Sequence, residues 1–223
     1  MRALVVEDVA LMRELIVSVV GNEFGFDQVE EAEDGEMAWA LFCETEYDFA
    51  VLDLMLPKLD GLSLGRRMLL HKPWLRVLVL SSECDEYSVR EVTRSGVLGF
   101  VDKQDLSLEV LFAALNEVSA GHAYYSPRVQ QVVSHMWQDP NAYYKLLSER
   151  EFRVVRGLAQ GLDDEAFFQD LGMSPSAVSR HKLNAKKKLN LCDDGDLVRY
   201  AYEKGFVKRK GGLDWTEVTH QKH

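Results

Sequence analysis

The stretch YDFAVLDLMLPKLDG, from Tyr47 to Gly61, decides how the first half of this chain is interpreted. Its apolar run, Phe49 to Leu52, is typical of a short strand that is buried on both faces. Asp53 follows that run directly, and the chain then continues into turn residues such as Pro57 and Asp60. Because a buried carboxylate is costly unless its charge is compensated, we ask what Asp53 meets at the end of its strand.

Similar runs recur through the first 120 residues, and each is followed by a helical pattern. The expected strands are Ala3 to Val6, Gln28 to Ala32, Phe49 to Leu52, Val77 to Leu80 and Gly99 to Val101. Five such repeats predict an α/β domain, a doubly wound parallel sheet with helices on both faces. Ligands of such sheets bind beyond the carboxyl ends of the strands. The loop after the first strand, EDVALM, is acidic where phosphate-cradling loops are rich in glycine, which argues against nucleotide binding.

Charge is distributed unevenly along the chain, whose formal net charge is −10. Residues 1–120 carry 23 acidic and 10 basic side chains, a balance of −13. Residues 145–210 carry 10 acidic and 14 basic side chains, a balance of +4. An acidic half followed by a basic half suggests two domains with different partners, and nucleic acid is the candidate for the second.

Membrane-spanning and secretory features are missing from the sequence. No apolar run approaches the roughly 20 residues that span a bilayer, and a charged residue appears already at Glu7, too early for a signal peptide. Cys43, Cys84 and Cys192 are scattered and form no pair with metal-binding spacing. We therefore predict a cytoplasmic protein without a membrane partner.

Polar side chains follow four of the five expected strands: Glu7 with Asp8, Asp53, Ser81 and Lys103. Carboxylates that converge at one edge raise each other's pKa values unless a cation lies among them, and Mg²⁺ suits such oxygen ligands. An aspartate can be the nucleophile in phosphoryl transfer. Lys103 and the metal would supply positive charge and Ser81 a hydrogen bond. We predict that Asp53 receives phosphate there.

The chain is helical from about residue 146, and one of its helices is basic. Between about Ser176 and Leu189 apolar residues and His181 form one stripe, the expected buried side. The opposite side fits the major groove of DNA, with early residues at base edges and lysines at phosphates. The residues that project from that side or flank it are Ser176, Ser179, Arg180, Lys182, Leu183, Lys186 and Lys187. The alternative is an ordinary amphipathic helix with solvated lysines.

Motifs in both halves resemble those of a known family. The segments VVED, LDLMLPKLDG, VLVLSS and GFVDK resemble the receiver domain of two-component response regulators. The segments LLSEREFRVVRGLAQGL, SPSAVSRHKLNAKKKLNL and DLVRYAYEKGFV resemble the LuxR-type helix-turn-helix domain, and the combination is similar to the NarL/FixJ class. The resemblance implies a sheet of order 2-1-3-4-5 followed by an all-α domain. The predicted divisions are a receiver at 1–120, a linker at 121–145, a DNA-binding domain at 146–210 and a tail at 211–223. The linker is predicted because the periodicity weakens there and Pro127 and Pro140 appear, and a helix is expected within it around Val129 to Trp137.

The resemblance also assigns roles in phosphoryl transfer. It implies that Asp53 is the phosphoacceptor and that Glu7, Asp8, Asp53 and the backbone carbonyl of Met55 bind Mg²⁺. The switch hydroxyl, the phosphate-binding lysine and the aromatic switch residue correspond to Ser81, Lys103 and Phe100. Such a protein is a regulator rather than a turnover enzyme. Its phosphodonor is a phosphohistidine on a sensor histidine kinase or a small acyl phosphate.

In the second half the resemblance implies contacts with double-stranded DNA. The implied groove residues are Ser179, Arg180 and Leu183, and the implied backbone contacts are Lys182, Lys186 and Lys187. The last helix, around Asp196 to Glu203, resembles the one through which such domains pair, so a homodimer is expected after phosphorylation.

Two departures from the family pattern keep another function open. Phe168 stands where a small residue is usual, and Asp163, Asp164 and Glu165 place three acids at the start of the scaffold helix. Both favour a regulator that works through protein contacts, with a helix-turn-helix that no longer binds DNA. A phosphatase of the haloacid-dehalogenase type is disfavoured, since Met55 stands where its second aspartate is required.

Overall fold

The computed structural model describes residues 1–207, apart from the side chains of Glu23, Asp164, Phe168 and Asp170. The chain divides into two compact units, with the boundary between Trp137 and Gln138. The predicted tail from residue 211 lies outside the described residues. No helix in the described part of the chain is long and apolar enough to cross a membrane.

A parallel sheet forms the centre of the first unit. Its strands are β1 Arg2–Val6, β2 Gln28–Ala32, β3 Phe49–Leu52, β4 Arg76–Ser81, β5 Gly99–Asp102 and β6 Tyr124–Tyr125. The helices of this unit are α1 Ala10–Glu23, α2 Gly35–Glu44, α3 Gly61–His71, α4 Glu86–Arg94, α5 Leu108–Ser119 and α6 Pro127–Gln138. The sheet order is β2-β1-β3-β4-β5-β6, so the predicted order 2-1-3-4-5 is confirmed and a sixth strand extends it.

The sixth strand lies in the segment 121–145, which we predicted to be a linker. β6 pairs in parallel with β5, with Gly99 opposite Tyr124, and α6 follows at once. β6 and all of α6 except its last residue belong to the first unit. A two-residue strand is too short to show a period, and Pro127, which suggested a linker, begins a helix, where its missing N–H is harmless.

Capping side chains fix where four helices of the first unit begin. Each accepts a hydrogen bond from a backbone N–H three residues later, and the four are Asp34 for α2, Asp60 for α3, Asp85 for α4 and Ser107 for α5. Such caps satisfy N–H groups that have no partner inside the helix. Because these helices begin after parallel strands, their first turns lie toward the edge of the sheet at which the strands end.

The second unit consists of helices in its described part. They are α7 Tyr143–Leu146, α8 Glu149–Ala159, α9 Asp164–Leu171, α10 Pro175–Leu189 and α11 Asp194–Glu203. Val154, Phe167, Met173 and Val178 form a core among three of these helices and the turn before α10. The predicted basic helix from Ser176 to Leu189 is confirmed as α10.

We predict that Gly61 is required because two backbone segments approach closely at the start of α3. A Cβ atom at Gly61 would lie 1.8 Å from the carbonyl oxygen of Asp53. Gly61→Ala must therefore displace the loop after β3, and we expect the free energy of unfolding in urea to fall by about 3 kcal/mol.

Gly21→Ala is the matched control, because a Cβ atom there lies 3.7 Å from Val29 Cγ2, an ordinary contact. Helix propensity should make this change neutral or stabilising by about 0.5 to 1 kcal/mol. Equal stability of the two variants would contradict the steric argument.

Candidate functional site

Three carboxylates meet at the carboxyl edge of the sheet. Glu7 and Asp8 follow β1, Asp53 follows the neighbouring strand β3, and one ligand oxygen from each lies within 4.8 Å of the others. The side chains of Glu7 and Asp53 are only 1% and 3% exposed, whereas Asp8 is exposed. The structure thus brings together the three carboxylates that the sequence singled out.

Lys103 compensates part of this buried negative charge. Its Nζ lies 2.7 Å from Asp53 Oδ2 and 2.8 Å from Glu7 Oε2. Burial raises the pKa of Glu7, an effect that Lys103 counteracts in part and that the charge of Asp53 strengthens. Burial by itself would lower the pKa of Lys103, but its hydrogen bonds to Asp53 and Glu7 outweigh burial and raise that pKa. Lys103 is therefore a cation at neutral pH.

Asp53 is held in one orientation by its neighbours. Its backbone N–H donates to the carbonyl of Val6 at 2.9 Å, which continues the pairing of β1 with β3. Its Oδ1 accepts the N–H of Met55 at 3.0 Å, while Oδ2 accepts from Lys103. Both oxygens of the carboxylate thus have donors from the chain itself.

Ser81 and Phe100 lie in β4 and β5, the two strands that follow β3 in the sheet. Ser81 is the last residue of β4 and is buried; its carbonyl accepts the N–H of Lys103 at 2.9 Å, and its Oγ accepts the N–H of Glu83 at 3.1 Å. Phe100 is fully buried in β5. The roles in switching that the sequence assigned to them stay predictions.

The donor set of the pocket fits a divalent cation such as Mg²⁺. Its ligand atoms are all carboxylate oxygens, and with Lys103 the pocket keeps a formal charge of −2. Hard divalent cations select oxygen ligands, and Mg²⁺ retains several of its waters. Asp8 is exposed, so this side of the pocket is open to solvent water. Glu7, Asp8 and Asp53 would hold the ion, and the participation of the Met55 carbonyl stays a prediction.

Arg128, at the start of α6, forms a contact near the pocket lysine that was not predicted from the sequence. Its Nε lies 2.9 Å from Oδ2 of Asp102, which is completely buried, and its backbone N–H donates to Asp105 Oδ2 at 2.8 Å. Asp102 directly precedes Lys103, so the start of α6 is joined to the loop that carries this lysine. No sequence period indicated this contact, since it connects residues more than 20 positions apart.

The basic helix α10 presents the predicted face to solvent. Val178 and Ala185 are buried on the opposite side. The exposed candidates for DNA contact are Ser176, Ser179, Arg180, Leu183 and Lys187, whereas Lys182 and Lys186 are half-buried. His181, which we expected on the buried side, is half-buried, and within the described part of the chain its buried Nδ1 has no hydrogen-bond partner.

Ion pairs engage three of the cations on α10. Lys182 Nζ and Lys186 Nζ lie 3.3 Å and 2.8 Å from the two carboxylate oxygens of Asp194, at the start of α11. Lys188 Nζ lies 2.7 Å from Oε2 of the buried Glu151. The role of Asp194 was not predicted from the sequence, although the acidic run that follows the basic helix was a visible signal.

Four residues of α9 and the turn before it depart from the family pattern, and the structure describes the side chains of two of them. The side chains of Phe168 and Asp164 lie outside the described residues. Asp163 caps α9, because its Oδ1 accepts the N–H of Ala166 at 2.8 Å, and Glu165 is exposed. Both of the described acids therefore lie at the start of α9.

Comparisons with known proteins match both units. The family model of the response regulator receiver domain matches residues 3–116, and the model of bacterial regulatory proteins of the luxR family matches residues 145–201. BvgA of Bordetella pertussis is 31% identical over 205 residues, which cover 90% of this chain and 96% of BvgA. The response regulator GacA of Pseudomonas aeruginosa is 28% identical over 210 residues, which cover 92% of this chain and 97% of GacA.

The chain is also similar to a solved structure of RcsB from Salmonella enterica serovar Typhimurium, which is bound to a promoter in the presence of a phosphomimetic. The TM-score is 0.65 at 22% identity, and the match covers 91% of this chain and 98% of RcsB. At this identity the likeness supports the fold.

The pocket geometry predicts that Lys103 stabilises the fold. In buffer without Mg²⁺ we expect Lys103→Met to lower the free energy of unfolding by about 3 to 5 kcal/mol, because two buried carboxylates lose their cation. Adding MgCl₂ should raise the Tm of this variant more than that of the original protein, since the ion then enters a more negative pocket.

Lys58→Met is the control for loss of a lysine ion pair. Lys58 pairs with Asp34, but the side chain of Lys58 is 57% exposed. Lys58→Met should therefore lower the free energy of unfolding much less than Lys103→Met and leave the response to MgCl₂ unchanged. If the two variants unfold alike in the absence of Mg²⁺, the proposed compensation by Lys103 is wrong.

Proposed function

This chain belongs to the NarL/FixJ-type two-component response regulators, which join a receiver to a LuxR-type domain, and we propose that phosphorylation of Asp53 controls its binding to double-stranded DNA. The observation that carries the first half of this proposal is the position of Lys103 Nζ between the carboxylates of Glu7 and Asp53. The second half is carried by the exposed basic face of α10.

Asp53 is the nucleophile in the proposed reaction. A carboxylate oxygen of Asp53 forms a bond to phosphorus while the bond between phosphorus and the donor's leaving group breaks, and the leaving group keeps that electron pair. The contacts of Asp53 with the Met55 N–H and Lys103 hold the carboxylate in place before the reaction, which lowers the entropic part of the barrier. The product is an aspartyl phosphate.

Lys103 and Ser81 stabilise the transferred group. The ammonium of Lys103 already lies against Asp53 and balances charge that develops on the phosphoryl oxygens. The Ser81 hydroxyl oxygen accepts a hydrogen bond from Glu83, so its own hydrogen is available to a phosphoryl oxygen. Mg²⁺, when it is bound by Glu7, Asp8 and Asp53, supplies further positive charge for the same oxygens.

The phosphorylated domain differs from the resting one mainly in charge. A phosphoryl group adds about −1.5 to −2 charge at neutral pH. We propose that Lys103 and Ser81 turn toward it, that the packing around Phe100 changes as a result, and that phosphorylated chains pair as a homodimer. The phosphodonor is a phosphohistidine of a sensor kinase, and we place the protein in the cytoplasm with that donor and with DNA.

In the DNA complex, α10 lies in the major groove. Ser176, Ser179, Arg180 and Leu183 face base edges, and Lys187 faces a backbone phosphate, as do Lys182 and Lys186 once they leave Asp194. An exposed leucine is suited to apolar contact with a thymine methyl group, and arginine to the acceptors of guanine. Phosphate contacts make the affinity depend steeply on salt.

A second candidate function is regulation through protein contacts without DNA binding. The observation that favours it is the pairing of Lys182 and Lys186 with Asp194, which occupies two of the expected phosphate contacts. Binding of DNA that disappears as salt is raised supports the first function, and no binding even at low salt supports the second.

Phosphorylation should depend completely on one carboxylate. We expect Asp53→Asn to abolish uptake of hydroxylamine-labile phosphate from a small acyl phosphate in the presence of Mg²⁺, because an amide is not a nucleophile for this reaction. Asp60→Asn is the control, since Asp60 caps α3 and lies outside the pocket. Undiminished labelling of Asp53→Asn would rule out Asp53 as the acceptor.

DNA binding should require both the phosphorylated state and the groove face of α10. We expect the purified protein to enrich specific sites from sheared genomic DNA only when beryllofluoride and Mg²⁺ mimic the aspartyl phosphate. Arg180→Ala should remove this enrichment, because a lost arginine contact to guanine costs about 1 to 3 kcal/mol at each half-site.

Arg153→Ala is the control for loss of an arginine, because Arg153 lies on α8 and pairs with Glu149. It should leave the enrichment intact. Absence of enrichment under every condition would favour the second candidate function, regulation through protein contacts.

A further inference from the structure

Asp194 holds two of the lysines that the DNA interface is expected to use. Its carboxylate lies 2.8 Å from Lys186 Nζ and 3.3 Å from Lys182 Nζ, so each of its oxygens faces one ammonium group. The two lysines are one helical turn apart on α10, and both are half-buried against this contact. Asp194 itself is the first residue of α11, where an acidic side chain interacts favourably with the helix dipole.

This carboxylate presents the chemistry that a DNA phosphate would present to the same lysines. Both groups are anions with two oxygens that can each accept a hydrogen bond from an ammonium group. The hydrogen bond from Lys186 lowers the pKa of Asp194, an effect to which Lys182 adds and which partial burial opposes. Asp194 is therefore ionised throughout the neutral range, and the two lysines have an anionic partner before DNA arrives.

We propose that Asp194 is an intramolecular competitor of DNA phosphate that sets the affinity and the salt dependence of the domain. The inference rests on the proposed DNA binding. A DNA phosphate that contacts Lys182 or Lys186 must first displace Asp194, so these lysines contribute less to affinity than their number suggests. The cations of α10 without an ion pair in the described part of the chain, Arg180 and Lys187, then supply the first electrostatic contacts.

The experiment compares Asp194→Asn with the original full-length protein. Both proteins are loaded with beryllofluoride and Mg²⁺ and titrated with a mixed-sequence duplex of about 30 base pairs at about 50 to 200 mM KCl. We expect Asp194→Asn to bind about 2- to 20-fold more tightly at the lowest salt concentration, since the two half-buried lysines lose the anionic partner that competes with DNA phosphate. The slope of log affinity against log salt should become steeper by about 1 to 2, because each newly available lysine releases a counterion.

Glu149→Gln is the matched control for loss of one negative charge. Glu149 is also the first residue of a helix and also forms an ion pair, but its partner is Arg153 on its own helix. This control should leave DNA affinity unchanged. An equal gain in both variants would show that net charge, rather than competition for Lys182 and Lys186, causes the effect, and would overturn the inference.

A double-mutant cycle tests the competition itself. Lys186→Gln should weaken binding more in the Asp194→Asn background than in the original protein, because only there is Lys186 freely available to phosphate. Equal losses in the two backgrounds would contradict the inference. Thermal unfolding should show that Asp194→Asn remains folded, because the Asp193 cap of α11 is retained.

The outcomes separate the inference from the function on which it rests. Equal affinity of the original protein and Asp194→Asn overturns the inference and leaves the proposed function standing. Binding by Asp194→Asn alone supports the inference in its strongest form, in which Asp194 blocks DNA altogether. Binding by neither protein at the lowest salt concentration overturns the proposed function and the inference with it.

Discussion

The buried negative charge at the carboxyl edge of the sheet is the constraint on which the first unit depends. Parallel strands that end together bring Glu7 and Asp53 to buried positions, and Lys103, which follows a third strand, compensates part of their charge. The loop after β3 can close over Asp53 only because Gly61 lacks a side chain. Fold and chemistry are thus inseparable here, since the chain cannot form the sheet without also assembling the pocket.

In the second unit it is positive charge that is compensated within the chain. Lysines of α10 project from a helix that packs on its neighbours, and acidic groups on α8 and α11, Glu151 and Asp194, neutralise three of them. In both units a charge is therefore compensated inside the chain before any partner is present. In both of our proposals, binding is an exchange of ionic partners: Lys103 turns from a carboxylate to a phosphoryl group, and Lys182 and Lys186 turn from Asp194 to DNA phosphates.

Much of this was predictable because the signals are local and periodic. The apolar run before Asp53, the polar residues at strand ends and the stripe on α10 follow from the repeat lengths of strands and helices. The contacts that were missed connect side chains across different elements. Arg128 meets Asp102 and Asp194 meets two lysines through distances in space that no period encodes, and β6 is too short for a pattern of its own.

The attachment of Arg128 gives the first unit a mechanical property. Its guanidinium and its backbone N–H are fastened to Asp102 and Asp105, on the two sides of Lys103. These two contacts join the loop that carries the lysine to the first turn of α6. The pairing of β6 with β5 lies directly before that turn in the chain. A change in the position of Lys103 therefore acts first on the start of α6, the last helix of the first unit.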